Sequence, residues 1–191
     1  LADFGRPEGY LERQVRRWTS QWEHSKTREL PAIDEVARRL AARVPEQHAV
    51  VIAHGDFRLG NCLTDTTTGR IAAVLDWELC TLGDPLADVG YLGVYWSEPG
   101  EHRRSNDPSG LDGFPTYAEL LDRYARRTGR DLSEISYYVA FSSWRLAVIS
   151  EGVYNRYLNG AMGDQRPDEA MLADLKAGTE LLANAALDLL Q

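Results

Sequence analysis

The stretch HGDFRLGNCLTDTTTGRIAAVLDWE, His54 to Glu78, is dense in polar side chains, although the apolar runs AVVIA and IAAVL lie before it and inside it. Both runs are short and rich in Val, Ile and Ala, which is typical of buried strands. The residues that could do chemistry at the strand ends are His54, Asp56, Arg58, Asn61 and Asp76. Carboxylate and amide oxygens suit Mg²⁺, a hard cation that leaves room for substrate phosphates. The pattern therefore predicts a magnesium-phosphate site.

Each of these residues suits a step of phosphoryl transfer. That reaction needs positioning, charge neutralisation and a carboxylate that orients or deprotonates the attacking hydroxyl. Asp56 is predicted to be that carboxylate, and Asn61 and Asp76 are predicted to hold the metal. Arg58, two residues after Asp56, either reaches the transferred phosphate or forms a salt bridge, and the sequence leaves both open.

The elements around these residues explain how they come together. The segments NCLTD and RIAAVLD are predicted to be two strands joined by TTTG, in which Gly69 can take a positive φ, and Asp65 is expected to be solvated in the turn. Such a hairpin returns Asp76 to the end of the sheet where Asn61 begins a strand. Asp84 is placed to cap a helix whose first turn accepts Pro85.

Helical periodicity dominates the rest of the chain. Apolar stripes predict helices after Pro7, after Pro31 and ending before Pro45, from Leu132 to about Leu158, and through residues 172–189. Thr116 with Glu119 and Asp131 with Glu134 have the spacing of helix-capping boxes. A surface loop is expected between about Glu98 and Gly113. The predicted class is α+β and mainly helical, with one small β element between the second and third helices.

Composition restricts the partners. The formal net charge of -8 and pI near 5 lack the basic stripe of nucleic-acid-binding proteins. Cys62 and Cys80 cannot form a disulfide framework and suit a reducing compartment. No apolar run is long enough for a membrane span, and no signal peptide precedes the first segment. We therefore expect a cytoplasmic protein with no nucleic-acid or membrane partner.

Several motifs together resemble a known family. HGDFRLGN matches the kinase catalytic-loop pattern, and LDWE stands where kinases have their metal-binding Asp-Phe-Gly. With Gly after the histidine and GDPLADVG downstream, the chain resembles the aminoglycoside-phosphotransferase-like branch. The opening GRPEGYLERQVRRW resembles the subgroup of kinase-like domains associated with acyl-CoA dehydrogenases.

The resemblance implies roles for individual positions. It implies the C-terminal lobe of a protein-kinase-like fold, with ATP as phosphate donor and Mg²⁺ as cofactor. Asp56 is then the catalytic base, Asn61 and Asp76 are magnesium ligands, and His54 and Asp88 support the catalytic loop. For Asp88 a surface carboxylate at the helix N-terminus is the alternative, and Glu78 is a further candidate metal ligand.

The acceptor is predicted less directly. In this branch the acceptor pocket is built from the distal helices, where the candidates for substrate contact are Trp144, Glu151, Tyr154 and Asn155. The alternative for all four is a place in the core or on a helix surface. The subgroup resemblance favours a hydroxylated acyl or similar metabolite over an aminoglycoside.

Two expected features of such an enzyme are not found in the sequence. Neither Lys26 nor Lys176 lies in an alternating strand, and no glycine loop flanked by strands precedes Asp56. We therefore expect residues 1–191 to be a single catalytic and substrate lobe, without the N-terminal nucleotide lobe. The surface that this lobe would cover is expected to expose apolar area and to favour a homodimer.

Two other functions compete with the kinase. One is a catalytically inactive kinase-like binding or scaffold module, which the missing lysine and glycine loop favour. The other is a magnesium phosphohydrolase, but the nucleophilic Asp-x-Asp after an N-terminal strand is not found. Retention of Asp56, Asn61 and Asp76 together favours the kinase.

Overall fold

The computed structural model describes residues 5–101, 108–163 and 167–191. It divides the chain into two compact units. The first contains residues 1–8 and 47–138, and the second contains residues 9–46 and 139–191. Helices dominate, and the strands are short and antiparallel, so the predicted mainly helical α+β class is confirmed.

The first unit contains the small β element. Strand β1 (Val51–Ala53) pairs with β4 (Thr81–Gly83), and β2 (Cys62–Thr64) pairs with β3 (Ile71–Val74). Two helices follow, α3 (Pro85–Tyr95) and α4 (Tyr117–Thr128). The predicted hairpin is confirmed, and Asp65 in its turn is exposed and accepts hydrogen bonds from Thr67 N and Thr68 N. The β1–β4 pairing was not predicted, because TLG alone is too short to show an alternating pattern.

Helix α3 is fixed at its start by a capping residue that is also buried. The Asp84 carboxylate accepts from Leu86 N at 2.9 Å, as predicted, and Pro85 occupies the first turn. Asp84 is only 3% exposed and also accepts from the Tyr138 hydroxyl at 2.9 Å. It therefore joins α3 to a distant part of the chain, which is more than the predicted cap.

The second unit is helical. It contains α1 (Tyr10–Ser25), α2 (Pro31–Ala42), α6 (Glu169–Asp188) and all but the first four residues of α5 (Ile135–Leu158). The Trp22 indole donates to Asp34 Oδ1 at 2.9 Å and so joins α1 to α2. Ile33, Val36 and Leu40 of α2 have no accessible surface, as their predicted stripe requires.

Some predicted boundaries were wrong. The capping box at Thr116 and Glu119 is confirmed, but α5 begins too late to be capped by Asp131. The Asp131 carboxylate instead accepts from Ser133 N and Ser133 Oγ, and α5 begins at Ile135. A short polar side chain here satisfies a local turn in place of a helix end. The predicted loop between Glu98 and Gly113 lies partly outside the described residues.

None of the helices within the described ranges combines the length and the apolarity needed to cross a bilayer.

Candidate active site

The candidate site is built around the loop that follows β1. The chain leaves β1 at Ala53, passes His54 and Gly55, and enters a 3₁₀ turn at Leu59–Asn61. Gly55 has φ 83°, and a Cβ there would lie 2.8 Å from Leu79 O. Glycine is therefore required for both the backbone conformation and the close approach.

His54 holds this loop from inside. Its side chain is 2% exposed, Nδ1 lies 3.2 Å from Asp56 N, and Nε2 lies 2.8 Å from Leu75 O. Because an N–H must donate to Nδ1 and a carbonyl must accept from Nε2, both contacts fit the neutral tautomer protonated on Nε2. Both ring nitrogens are used within the protein, so this geometry suits a structural residue.

Asp88 fixes the backbone of the same loop. Its two carboxylate oxygens accept from His54 N at 2.7 Å and from Gly55 N at 2.8 Å. Asp88 lies in the first turn of α3, whose position is set by the Asp84 cap. The alternative of a solvated surface carboxylate is therefore disfavoured by the geometry.

Asp56 is held by its neighbours through one oxygen. Asn61 Nδ2 donates to both Asp56 O and Asp56 Oδ2 at 2.8 Å, and Arg58 Nε lies 3.6 Å from the same Oδ2. The Asp56 side chain is 18% exposed, so a ligand can reach it. Within the described part of the chain Oδ1 forms no hydrogen bond or ion pair.

Asn61 and Asp76 lie at the same end of the hairpin. Leu75 N donates to Asn61 O at 2.8 Å, directly beyond the pairing of Cys62 with Val74, and Asp76 is the next residue. Asp76 has φ 65° and ψ 55°, the left-handed region, and is the one non-glycine residue with positive φ among those described. Its exposed carboxylate does not cap the following turn. Strain of this kind, outside glycine, is concentrated at functional sites.

The donor set at this end fits magnesium. Asn61 uses its Nδ2 on Asp56, so its carbonyl Oδ1 and the Asp76 carboxylate are two oxygen donors. No group of three or more His, Cys, Asp or Glu side chains that could hold a metal occurs in the described ranges. Mg²⁺ commonly uses one or two protein oxygens together with water and substrate phosphates, so this small set suits it.

Arg58 adopts a position between the two predicted alternatives. Its guanidinium lies 5.6 Å from the centre of the Tyr95 ring and forms a long ion pair with Asp56. Its side chain is 36% exposed. Tyr95, at the end of α3, is a site residue that sequence reasoning missed, since nothing in the local pattern joins it to Arg58.

Trp77 is a second residue that sequence reasoning missed. Its ring centre lies 4.7 Å from that of His54, and its indole donates to Val74 O at 2.9 Å. It therefore packs the segment of Asp76 against the loop of Asp56. Its place directly after Asp76 in LDWE was the available signal.

The distal substrate candidates belong to the second unit, and the burial of two of them favours their alternative place in the core. Trp144 and Glu151 have no accessible surface, so they cannot touch a substrate in this structure. The Trp144 indole donates to Ile33 O, and Glu151 accepts from Thr27 N and Oγ1. Asn155 Nδ2 donates to Ser25 O at 2.8 Å, and Tyr154 is half-buried. All four belong to α5, and Trp144, Glu151 and Asn155 form hydrogen bonds to other parts of the second unit.

Comparisons with known proteins identify a family for this chain. The model of the phosphotransferase enzyme family (APH) matches residues 1–138. Acyl-CoA dehydrogenase family member 10 of Mus musculus is 37% identical over 84% of the chain, and member 11 of Rattus norvegicus is 35% identical over 90%. The chain spans only 15% and 22% of the length of these two relatives.

A solved structure shows the same fold. A crystal structure of a candidate aminoglycoside phosphotransferase from Ralstonia eutropha JMP134 superposes with a TM-score of 0.83 at 34% identity. The match covers 100% of this chain and 58% of that one. The family model, the relatives and the fold all indicate the same assignment: the chain belongs to the phosphotransferase enzyme family.

Proposed function

We propose that this chain carries the catalytic and metal-binding residues of a phosphotransferase that moves the γ-phosphate of ATP to a hydroxyl group of a small-molecule metabolite. Family membership supports the coarser function, a kinase-like phosphotransferase. The finer proposal depends on one observation: Asn61 fixes Asp56 through Oδ2, and Oδ1 forms no hydrogen bond or ion pair with the described residues.

The residues divide the reaction between them. Asp56 Oδ1 accepts a hydrogen bond from the acceptor hydroxyl and takes its proton as the oxygen attacks the γ-phosphorus and the bond to ADP breaks. Asn61 and Asp76 would hold Mg²⁺, which supplies charge neutralisation for the phosphates. Arg58 is close enough to Asp56 to exchange that ion pair for the transferred phosphate. His54 and Asp88 keep the loop in position.

We also propose that a nucleotide lobe outside these residues completes the ATP site. Lys26 follows α1 and pairs with Glu23 and Glu29, and Lys176 lies in α6, so neither takes the place of a strand lysine. Several apolar side chains of the hairpin and the segment after it are about half exposed, namely Leu63, Ile71, Leu75, Trp77 and Leu79. Such a patch is suited to being covered.

For the acceptor we propose a hydroxylated acyl compound. The support is the similarity to proteins named acyl-CoA dehydrogenase family members 10 and 11. Because the chain spans a small part of those proteins, this substrate class is inferred by association.

Calorimetric titration with Mg²⁺-ATP and a turnover assay test the proposal. Both measurements are made on this chain and on a longer protein that also contains any segment encoded upstream of it. We expect Asp56→Asn to lower turnover at least about a hundredfold with little change in ATP binding, and Asp76→Asn to weaken Mg²⁺-ATP binding. Asp65→Asn, in the exposed turn of the same hairpin, is the matched control.

Two results would contradict the proposal. Full turnover by Asp56→Asn would exclude that residue as the base. Absence of Mg²⁺-ATP binding in both proteins would instead favour the catalytically inactive scaffold.

A further inference from the structure

A cavity of about 550 Å³ opens beside α4 within the first unit. Its walls are mostly apolar and include Val51, Val74, Trp77, Val89, Leu92 and Leu120. Small-molecule sites commonly have volumes of about 300 to 1,000 Å³. Neither Asp56 nor Asn61 lines the cavity, so it is distinct from the oxygens proposed for the acceptor and the metal.

The helix beside this cavity lacks full packing on its apolar side. Helix α4 is amphipathic, with Leu120 and Tyr124 four residues apart on one side, yet none of its residues is fully buried. Both of these side chains line the cavity. The apolar lining of this open space is exposed to water, which costs free energy relative to burial. An apolar occupant would remove this surface from water.

Two arginines mark the chemistry of the occupant. Arg123 and Arg127 also line the cavity, and their spacing of four residues places them on the same side of α4. Neither forms a hydrogen bond or ion pair with any residue in the described ranges, whereas Arg126 between them pairs with Asp122. Two like charges at this spacing repel one another in the absence of a counter-charge.

The other charged group at the cavity does not neutralise these arginines. Asp88 lines the cavity, but its carboxylate accepts from His54 N and Gly55 N. A guanidinium forms paired, charge-assisted hydrogen bonds with a carboxylate or phosphate. The rim therefore offers two unpaired cations next to an apolar space, in a chain whose net charge is -8.

We propose that this cavity binds an amphipathic anion, with its apolar body against Leu92, Leu120 and Trp77 and its acidic head held by Arg123 and Arg127. The inference goes beyond the proposed phosphotransfer and does not depend on it. Because the site lies against Trp77 and His54, an occupant touches the residues that support the catalytic loop.

Calorimetric titration of the 191-residue chain with octanoate, octyl phosphate and 1-octanol, without nucleotide, tests this inference. The three probes share an apolar chain and differ in the head group. We expect at least one anionic probe to bind about tenfold or more tightly than 1-octanol. A preference for the carboxylate or for the phosphate identifies the head group.

Four variants make the test specific. Arg123→Gln and Arg127→Gln are each expected to weaken the anionic probe about tenfold, and Leu120→Trp is expected to abolish binding by filling the cavity. Arg126→Gln is the matched control, because it removes the same charge from the same helix at a position that does not line the cavity. Circular dichroism of each variant checks that the fold is retained.

Three results would overturn the inference. They are equal affinity for octanoate, octyl phosphate and 1-octanol, equal weakening by Arg126→Gln and Arg123→Gln, and absence of binding of any probe up to about 10 mM. Equal affinities would show an unspecific apolar surface, and the absence of binding would favour a cavity filled by another part of a longer protein.

Discussion

Asp88 places both carboxylate oxygens on the backbone of the loop that carries Asp56. The two hydrogen bonds, from His54 N and Gly55 N, are 2.7 and 2.8 Å long. A charged acceptor of this kind contributes more than a neutral one, and loss of one oxygen leaves a partly buried N–H without its partner.

At the residue scale we therefore expect Asp88→Asn to destabilise the protein by about 1 to 3 kcal/mol. Urea unfolding of the variant and of the wild type measures the difference. Asp174→Asn, an exposed aspartate of α6, is the control and is expected to change stability by less than about 0.5 kcal/mol. Equal stability of wild type and Asp88→Asn would show that Asp88 does not support the loop.

Asp76 combines a left-handed backbone with a carboxylate that is proposed to hold magnesium, and two substitutions separate the effect of the backbone from that of the carboxylate. Its left-handed backbone suits glycine, whereas a Cβ in this region carries a steric penalty of about 1 to 2 kcal/mol. We expect Asp76→Gly to be about 1 kcal/mol more stable than Asp76→Ala, although both lack the carboxylate.

Urea unfolding of the Asp76 pair, with Glu78→Gly and Glu78→Ala as the matched pair, measures this difference. Glu78 does not have a positive φ, so there the alanine variant should be the more stable. The same order at both positions would contradict a strained backbone at Asp76.

At the scale of elements, α3 approaches the start of α5 so closely that only glycine fits between them. A Cβ on Gly90 would lie 2.6 Å from the carbonyl carbon and 2.8 Å from the carbonyl oxygen of Tyr138, and backbone atoms cannot yield as a side chain can. This contact and the hydrogen bond from Tyr138 to Asp84 together set the position of α3, and with it that of Asp88.

Gly90→Ala is therefore expected to destabilise the protein by about 2 kcal/mol or more. Gly178→Ala is the matched control in α6, where a Cβ would meet nothing within 4 Å. There the higher helix propensity of alanine should stabilise by about 1 kcal/mol. Thermal or urea unfolding distinguishes the two, and stabilisation by both substitutions would contradict the close approach.

At the scale of the whole molecule, buried tyrosines make stability depend on alkaline pH. Burial raises the pKa of Tyr117, whose hydroxyl donates to Val89 O at 3.0 Å. Burial and the neighbouring Asp84 raise the pKa of Tyr138. Since both values lie above the ordinary 10.0, the folded state retains protons that the unfolded state loses. This contribution is fully present below about pH 10 and is lost as the pH rises further.

We expect the free energy of unfolding to fall above about pH 10, with a limiting slope of about 1.4 kcal/mol per pH unit for each of the two tyrosines. Tyr117→Phe should give a shallower decline, measured by urea unfolding between about pH 9 and pH 11. Tyr157→Phe is the control, because its hydroxyl makes no hydrogen bond within the described ranges. Parallel profiles for wild type and Tyr117→Phe would contradict the prediction.

Local chemistry explains which features were predictable. The hairpin, the Asp84 cap and the capping box at Thr116 depend on neighbouring residues, so the pattern of those residues predicts them. The pairing of β1 with β4 joins residues about thirty positions apart through three-residue strands. Strands that short carry too little periodicity to be identified.

The sequence by itself determined the family, the mainly helical α+β class and the candidate residues Asp56, Asn61 and Asp76, because motif spacing and hydrophobic period are local properties. Only the tertiary structure decided what surrounds them. It placed Trp77 on His54 and Arg58 over Tyr95, and it buried Trp144 and Glu151 where substrate contacts had been predicted. The physical reason is that burial and side-chain contacts arise from packing between distant segments, which local sequence patterns do not reveal.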